Sequence, residues 1–310
     1  MLPSLFSSGD PIADRRVDYA RMLAEGGDLP AAAELVEQAL ELVPHWGAGW
    51  LMLGDYRERA AIVEGAVAAY RQLLDLDPQD MFGVRLKLAL LGAEEVPEQP
   101  PSRYVESLFD HYADRFDEAL VGKLEYSVPE KLAEMVGPRA PYRAVVDLGC
   151  GTGLMGARIR GLTERLEGFD LSANMLANAE EKAIYDHLGR ADLSLPNHEA
   201  GLFGEGLPFH RADLVTAADV LLYLGSLETV FPLVVELLAP GGYFAFSVEE
   251  AAAGSGFELR QSLRYAHSED YIKRLLDRHG LQSLARRRTT IRLERGEPVS
   301  GILFLSQKAC

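Results

Sequence analysis

The sequence contains little cysteine: two residues among 310, Cys150 and Cys310. Cys150 lies inside a glycine-rich loop and Cys310 is the last residue, so the two are poorly placed to form a disulfide. Scarce cysteine is typical of proteins from reducing compartments, and we expect a cytoplasmic protein. The sequence also has no cluster of cysteine and histidine at metal-ligand spacing, which predicts that no metal is bound.

Long apolar runs and a targeting segment are missing as well. No apolar stretch approaches the roughly 20 residues of a membrane-spanning helix. The first residues, MLPSLFSSGDP, have neither a basic start nor a long apolar stretch, so we expect no signal peptide. These absences predict a soluble protein without a membrane partner.

Positive charge is in short supply. The chain carries 31 Lys and Arg against 47 Asp and Glu, a formal net charge of −16. Binding to nucleic acid draws on basic groups that neutralise phosphates, and this balance predicts that nucleic acid is not a partner. The remaining composition, with 48% hydrophobic and 25% charged residues, is typical of a globular protein long enough for two domains.

Two segments near the start of the chain repeat at a fixed offset. EQALELVP ends at Pro44 and RQLLDLDP ends at Pro78, 34 residues later. Small residues recur at the same offset, at Ala32 and Ala66. This pattern resembles the tetratricopeptide repeat, in which each pair of helices buries its apolar face against the next pair.

The resemblance predicts a helical repeat domain over residues 1–92, followed by a linker rich in Pro and Glu over residues 93–102. About two and a half repeats fit, fewer than the three that such arrays usually need. Two functions remain open. The repeats either bind a protein partner in a groove, or cap the neighbouring domain and form a homodimer.

A glycine-rich loop follows an apolar run at Val145–Gly156, VVDLGCGTGLMG. Its last three glycines, starting at Gly151, fit the G-x-G-x-x-G pattern of sites that bind the pyrophosphate of a dinucleotide. A second interpretation starts two residues before Gly149, at Asp147. A carboxylate beside the loop would repel a pyrophosphate and suits a ligand with an ammonium or a sulfonium. A nicotinamide cofactor is therefore disfavoured.

Strands and helices alternate in residues 103–310. Such alternation is typical of a doubly wound, mainly parallel α/β sheet, and two final strands that share a turn predict an antiparallel edge hairpin. The predicted strands are residues 145–148, 165–170, 213–218, 243–248, 281–292 and 300–307.

Two acidic residues follow in the same region. Asp170 closes the second predicted strand and is suitably placed to accept hydrogen bonds from two ribose hydroxyls. Asp192 follows the next short segment and suits an adenine amino group. Each acid alone could equally be a helix cap or a turn residue, but as a set they favour a nucleoside cofactor.

Four motifs occur in order: DLGCGTG at 147–153, GFDLSANML at 168–176, ADL at 191–193 and the P-G-G turn at 240–242. Together they resemble the class I S-adenosylmethionine-dependent methyltransferases, over roughly residues 104–310. With the repeats, the whole chain resembles bacterial-type methyltransferases that carry tetratricopeptide repeats.

The resemblance implies a Rossmann-like sheet of seven strands with an antiparallel last strand. It implies S-adenosyl-L-methionine as cofactor and methyl transfer to a small-molecule or protein acceptor. The alternative is a scaffold whose methyltransferase fold binds the cofactor without turnover. The implied cofactor residues are Asp147, Gly149, Cys150 and Gly151 at the methionine end with Ala218 and Asp219, Asp170 at the ribose with Leu171 and Met175, and Asp192 and Leu193 at the adenine.

An aromatic segment precedes the first strand of this region. Tyr104, Phe109, Tyr112 and Phe116 recur at helix-like spacing. The segment resembles the helix that closes over the cofactor in many of these enzymes, which would place Tyr112 at the cofactor. A helix that buries its aromatics in a core is the other interpretation.

The acceptor is less readable. Substrates of this fold bind beyond the carboxyl ends of the strands. There Tyr223, Arg264, Tyr265 and His267 are candidates to orient an acceptor, and His267 could serve as a base. A base is needed only where the acceptor is protonated, and a lone histidine before a helix is more often a surface or capping residue. The motif N-P-P-Y is absent after the fourth strand, which argues against methylation of DNA bases.

Overall fold

The computed structural model describes residues 7–113, 126–294 and 296–309. The chain divides into two compact units, Met1–Pro97 and Glu98–Cys310. The division falls inside the predicted linker, residues 93–102. No helix in the described ranges combines the length and hydrophobicity that a membrane crossing requires.

The first unit is helical throughout its described part, and helices adjacent in sequence pack against each other. Aspartates begin two of them. The Asp10 carboxylate accepts hydrogen bonds from the N–H groups of Ile12 and Ala13, and Asp28 accepts one from Ala31. Both satisfy donors that a helix start leaves unpaired. The helices are α1 (Pro11–Glu25), α2 (Leu29–Leu40), α3 (Gly47–Arg59), α4 (Val63–Leu76) and α5 (Val84–Leu90).

Small residues let these helices approach closely. Ala32 and Ala66 are completely buried. At Gly54 in α3, an added Cβ would lie only 2.1 Å from the Tyr70 ring in α4. The Tyr70 hydroxyl donates to Glu58 at 2.6 Å, which fixes the ring against the glycine. The α3–α4 crossing therefore requires glycine at position 54.

We predict that Gly54→Ala destabilises the protein although alanine favours helices. Replacing glycine inside a helix gains about 1 kcal/mol, but overpacking against Tyr70 costs about 1–3 kcal/mol. Gly65→Ala is the matched control, because its new methyl meets the flexible side chain of Arg57 at 3.0 Å. Thermal unfolding should show a lower Tm for Gly54→Ala than for Gly65→Ala. An equal or higher Tm would contradict the close crossing.

The second unit is a mixed sheet with helices on both faces. The strands β3, β2, β1, β4 and β5 lie side by side in that order and all run parallel. Strand β9 then pairs antiparallel with β5, and β8 pairs antiparallel with β9, which confirms the predicted edge hairpin. The strands are β1 (Tyr142–Leu148), β2 (Thr163–Asp170), β3 (His187–Arg190), β4 (Ala212–Ala217), β5 (Leu238–Glu250), β6 (Phe257–Leu259), β7 (Tyr265–His267), β8 (Leu281–Glu294) and β9 (Glu297–Lys308).

The described residues form nine strands, so the prediction of seven was wrong. The difference lies in β6 and β7, a short antiparallel hairpin. Strand β7 extends the sheet beyond the end of β5, where Ala266 pairs with Glu249. Strands of three residues carry almost no periodic signal, which is why the sequence did not reveal them.

Alternate residues of β1 enter two separate apolar cores. Val146 packs into the core that contains Phe231 and Phe244, whereas Val145 packs on the other face with Leu132 and Leu214. A strand covered on both faces appears as a continuous apolar run, which explains the sequence AVVDL. The helices of this unit are α6 (Ser102–Tyr112), α7 (Val128–Val136), α8 (Leu154–Ile159), α9 (Ala173–Glu181), α10 (Val230–Leu237) and α11 (Glu269–Arg278).

Candidate functional site

A cavity of about 370 Å³ opens in the second unit, where the loops after β1, β2 and β4 meet. The carboxyl ends of parallel strands are where this kind of sheet binds ligands. Most of the residues predicted for the site line the cavity. They are Tyr112, Gly149, Cys150, Gly151, Asp170, Leu171, Asp192, Leu193, Ala218, Asp219 and Tyr223.

Four predicted residues do not line it. Met175 is buried within α9, behind the loop that carries Asp170. Asp147 is buried at the end of β1, and Tyr265 and His267 are buried in β7.

The path of the glycine loop depends on residues with left-handed backbone conformations. Gly149 and Gly151 have φ values of 63° and 53°, which side-chain-bearing residues rarely adopt. A Cβ at Gly149 would also lie 2.3 Å from Val220 in the loop after β4. The N–H of Gly151 points back to β2 and donates to Asp170 Oδ2 at 2.9 Å.

Asp170 is the anchor of the site. Its second oxygen, Oδ1, accepts the N–H of Ser172 at 2.9 Å. Burial raises the pKa of Asp170 to about 6, against the opposing effect of its backbone hydrogen bonds. A carboxylate fixed in this way at a cavity wall suits a ligand that donates hydrogen bonds, such as a diol.

Asp147 lies behind the loop. Thr216 donates to its Oδ1 at 2.7 Å and Tyr185 to its Oδ2 at 2.8 Å. Burial raises the pKa of this carboxyl to about 6 as well. From the sequence, we expected this charge to face a cationic ligand. In the structure, both carboxylate oxygens instead accept hydrogen bonds from the side chains of Thr216 and Tyr185.

Tyr185 explains the third glycine of the G-x-G-x-x-G pattern. A Cβ at Gly156 would lie 2.3 Å from the Tyr185 hydroxyl, and one at Gly168 would lie 2.8 Å from its ring. The glycines make room for the tyrosine that bonds Asp147. The resemblance to a dinucleotide fingerprint therefore has a packing cause here.

Asp192 closes another part of the wall. Its Oδ1 accepts from the N–H of Ser194 at 2.9 Å and from the Ser194 hydroxyl at 2.6 Å. The N–H of Asp192 donates to Ala200 at 3.0 Å. Beside it Leu193 offers an apolar surface, so the pair can hold a flat ring with a polar edge.

Helix α6 runs along the cavity with its apolar face inward. None of its residues is completely buried. Its polar face is fixed to the domain, since Ser172 donates to Asp110 at 2.6 Å and Arg190 pairs with Glu106 at 2.6 Å. Phe116 lies outside the described residues. The cavity-lining members of α6 are Ser102, Tyr104, Val105, Leu108, Phe109 and Tyr112.

The histidine proposed as a base points away from the cavity. His267 Nε2 lies 2.9 Å from both the Leu224 and the Gly225 carbonyl oxygens. Burial lowers its pKa to about 4, so the ring is neutral at pH 7 and donates through Nε2. It holds the loop after β4 in place.

Two arginines also line the cavity: Arg264, which the sequence suggested as a residue that could orient an acceptor, and Arg292, which sequence reasoning missed. Arg292 lies in β8, four residues after the exposed arginines 286–288. Unlike them, it is 2% exposed and pairs with Asp219 at 3.1 Å and with Glu249. No group of three or more His, Cys, Asp or Glu within the described ranges could hold a metal ion.

Known proteins share this architecture. Residues 146–244, which contain the glycine loop, Asp170 and Asp192, match the family model described as a methyltransferase domain. Over these residues the chain is similar to a methyltransferase domain.

Curated relatives of the methyltransferase domain act on different acceptors by name. Malonyl-[acyl-carrier protein] O-methyltransferase of Enterobacter lignolyticus is 32% identical over 148 residues, 47% of this chain and 54% of the relative. Trans-aconitate 2-methyltransferase of Delftia acidovorans is 36% identical over 119 residues, 36% of this chain and 40% of the relative. The chain thus spans about half the length of the curated relatives it matches.

A solved structure shares the fold. A chain in the complex between the Haloferax volcanii Trm112 methyltransferase activator and a methyltransferase has a TM-score of 0.50 and 18% identity. The match covers 65% of this chain and 98% of that chain. At this identity the likeness concerns the fold alone.

We predict that Asp147 and Asp170 each contribute a loss of stability to the ligand-free protein as the pH rises from about 4 to 6. Burial raises the folded-state pKa values of Asp147 and Asp170 to about 6, above the ordinary value of 3.8. Between these two pKa values, the folded state holds protons that the unfolded chain has released. The stabilisation that these protons give the folded state is therefore lost as the pH rises through 6. Asp147→Asn removes one of these groups, so its Tm relative to wild type should improve from pH 4 to pH 8.

The control is Asp18→Asn, which removes a charge whose side chain is 71% exposed. Thermal unfolding from pH 4 to pH 8 measures all three proteins. If Asp147→Asn tracks the wild type in parallel across this range, the buried carboxyl does not titrate as described.

Proposed function

We propose that this chain transfers a methyl group from S-adenosyl-L-methionine to a small-molecule or protein acceptor in the cytoplasm. The observation that carries the proposal is Asp170, fixed by two backbone N–H groups at a cavity shared with Asp192 and the apolar face of α6. A sulfonium supplies an activated methyl group, so the protein has chiefly to align the acceptor and exclude water.

The lining residues suit the parts of this cofactor. Asp170 would accept two hydrogen bonds from the ribose, beside Leu171 and backed by Met175. Asp192 and Leu193 would frame the adenine. The residues assigned to the methionine end are Gly149, Cys150, Gly151, Ala218 and Asp219, with Tyr112 of α6 covering the cofactor and Asp147 positioning the loop from behind.

We predict that Asp170→Ala lowers the affinity for the cofactor. It removes two charge-assisted hydrogen bonds, each worth about 1.5–3 kcal/mol, so the loss should reach at least about tenfold. Calorimetric titration measures S-adenosylmethionine, S-adenosylhomocysteine and NAD against the full chain. We expect the first two to bind and NAD not to bind.

Asp277→Ala is the matched control, because it deletes an exposed carboxylate in α11. Circular dichroism checks that Asp170→Ala stays folded. A folded Asp170→Ala protein that binds S-adenosylmethionine as tightly as the control would contradict the ribose assignment. Tight binding of NAD by the wild type would instead favour an oxidoreductase.

We further propose that helices α1–α5 are tetratricopeptide repeats that form a domain over residues 1–92. The start of α2 at Leu29 and of α4 at Val63 are 34 positions apart. The close α3–α4 crossing at Gly54 supports the same assignment. Ile12, Tyr19 and Met22 leave apolar side chains 52–65% exposed on α1, which suits a further contact with a protein partner or a second copy.

In the scaffold alternative, the helical unit is the same, but the second unit binds the cofactor without transferring its methyl group. For the repeats, we favour the role of a cap on the neighbouring domain over that of a groove for a partner. A chain of residues 98–310 should then aggregate or bind S-adenosylmethionine more weakly than the full chain. Size-exclusion chromatography with light scattering and calorimetry measure both properties. A soluble, monomeric and fully binding residue 98–310 chain would leave partner recruitment as the role of the repeats.

A further inference from the structure

Part of the cavity wall is formed by two arginines and a tyrosine. Arg264 comes from the loop between β6 and β7, Arg292 from β8, and Tyr223 from the turn after β4. The guanidinium of Arg264 lies 5.8 Å from the centre of the Tyr223 ring. We call this the arginine wall.

The two arginines differ in how well the protein neutralises them. Arg292 pairs directly with the buried carboxylates of Asp219 and Glu249. Arg264 hydrogen-bonds with Tyr223 and interacts electrostatically with Glu249. The one carboxylate within 4 Å of it among the described residues, that of Glu294, lies at 3.6 Å. That distance exceeds the 2.7–2.9 Å of a charge-assisted hydrogen bond. An anion that enters the cavity can therefore engage Arg264.

The arginine wall also contains two features that raise the free energy of the folded protein unless a ligand offsets them. Arg292 Nε is buried and has no hydrogen-bond partner, and such unmet donors are rare in folded proteins. Leu263, which precedes Arg264, has a φ of 61°, a strained value for a leucine. Strained backbone and unmet donors concentrate where ligands bind.

Few groups in the described lining of the cavity are free to remove a proton from an acceptor. The described lining contains neither histidine nor lysine. Asp170 and Asp192 already accept hydrogen bonds, and Asp219 is paired with Arg292. Burial raises the pKa of the Cys150 thiol, which keeps it neutral. An acceptor that arrives with its nucleophile already deprotonated needs no base, and a carboxylate is such an acceptor at neutral pH.

We propose that the acceptor is an organic acid whose carboxylate pairs with Arg264 and receives the methyl group on oxygen. The inference rests on the proposed methyl transfer. A carboxylate oxygen attacks the methyl carbon, the new O–C bond forms, and the S–C bond breaks with its electron pair passing to sulfur. The products are a methyl ester and S-adenosylhomocysteine, and no proton moves.

The test uses the full chain and methyl-labelled S-adenosylmethionine. The acceptors are malonate, glutarate, citrate, benzoate and octanoate, each compared with its primary amide and with an amine of similar size. A methyl ester releases labelled methanol in alkali, whereas an N-methyl product does not. We expect alkali-labile product from acids alone.

Arg264→Gln should raise the KM for the acid at least about tenfold, the scale of a lost charge-assisted pair. Its affinity for S-adenosylmethionine should stay within about twofold of wild type, since no contact assigned to the cofactor changes. Arg264→Lys keeps the charge without the planar fork and should recover part of the loss. Arg260→Gln is the matched control: Arg260 pairs with Glu258 on β6 and does not line the cavity.

Three results would overturn the inference: an alkali-stable product, an amine or amide that is methylated in preference to its acid, or an Arg264→Gln protein that behaves like Arg260→Gln. If no acid is methylated, the test is the change in Tm that each acid and each amide causes in the S-adenosylhomocysteine-bound protein. If the acids stabilise it no more than their amides, or equally well in Arg264→Gln, the inference is wrong. If the wild-type protein does not bind S-adenosylmethionine, the proposed function itself is wrong.

Discussion

The hydrogen bond from the Gly151 N–H to the Asp170 carboxylate is the contact on which the site depends. It joins the loop after β1 to the end of β2 at 2.9 Å, and the same carboxylate accepts the N–H of Ser172, where α9 begins. An isolated carboxylate would be expensive to bury, and here the backbone supplies both partners. Because each backbone donor is held by a strand or helix end, the carboxylate can face a ligand without reorganisation.

A second buried carboxylate supports this contact from behind. Asp147 of β1 accepts hydrogen bonds from the hydroxyls of Thr216 in β4 and of Tyr185, so it connects β1 to β4 and to the segment that precedes β3. Tyr185 occupies space that Gly156 and Gly168 leave open. The glycines of the loop thus divide into two kinds: Gly149 and Gly151 allow the left-handed turn, and Gly156 admits a tyrosine. One sequence pattern conceals both causes, and only the three-dimensional neighbours separate them.

The sequence was informative where a residue type answers a local requirement. Positive φ at Gly149 and Gly151 and a carboxylate at the end of β2 are such requirements, and these residues do line the cavity. It was uninformative where the cause lies far along the chain. Arg292 meets Asp219 across 73 residues, and in sequence it resembles its solvated neighbours Arg286–Arg288. From the sequence, His267 was a candidate base but more often such a histidine is a surface or capping residue, and only its two carbonyl partners showed that it fixes a loop.

Asp219 is where the two parts of the cavity meet. It follows β4 directly and has a φ of 58°, a left-handed value that aspartate tolerates better than most residues. Its N–H donates to Ser247 at 2.8 Å while its carboxylate reaches Arg292. The strain of roughly 1–3 kcal/mol in such a residue persists only when surrounding contacts over-determine it, and these two contacts do so. The same turn therefore shapes the wall beside the glycine loop and holds Arg292 in the arginine wall. A change at Asp219 would alter both parts at once, whereas changes at Asp170 or Arg264 can affect them separately.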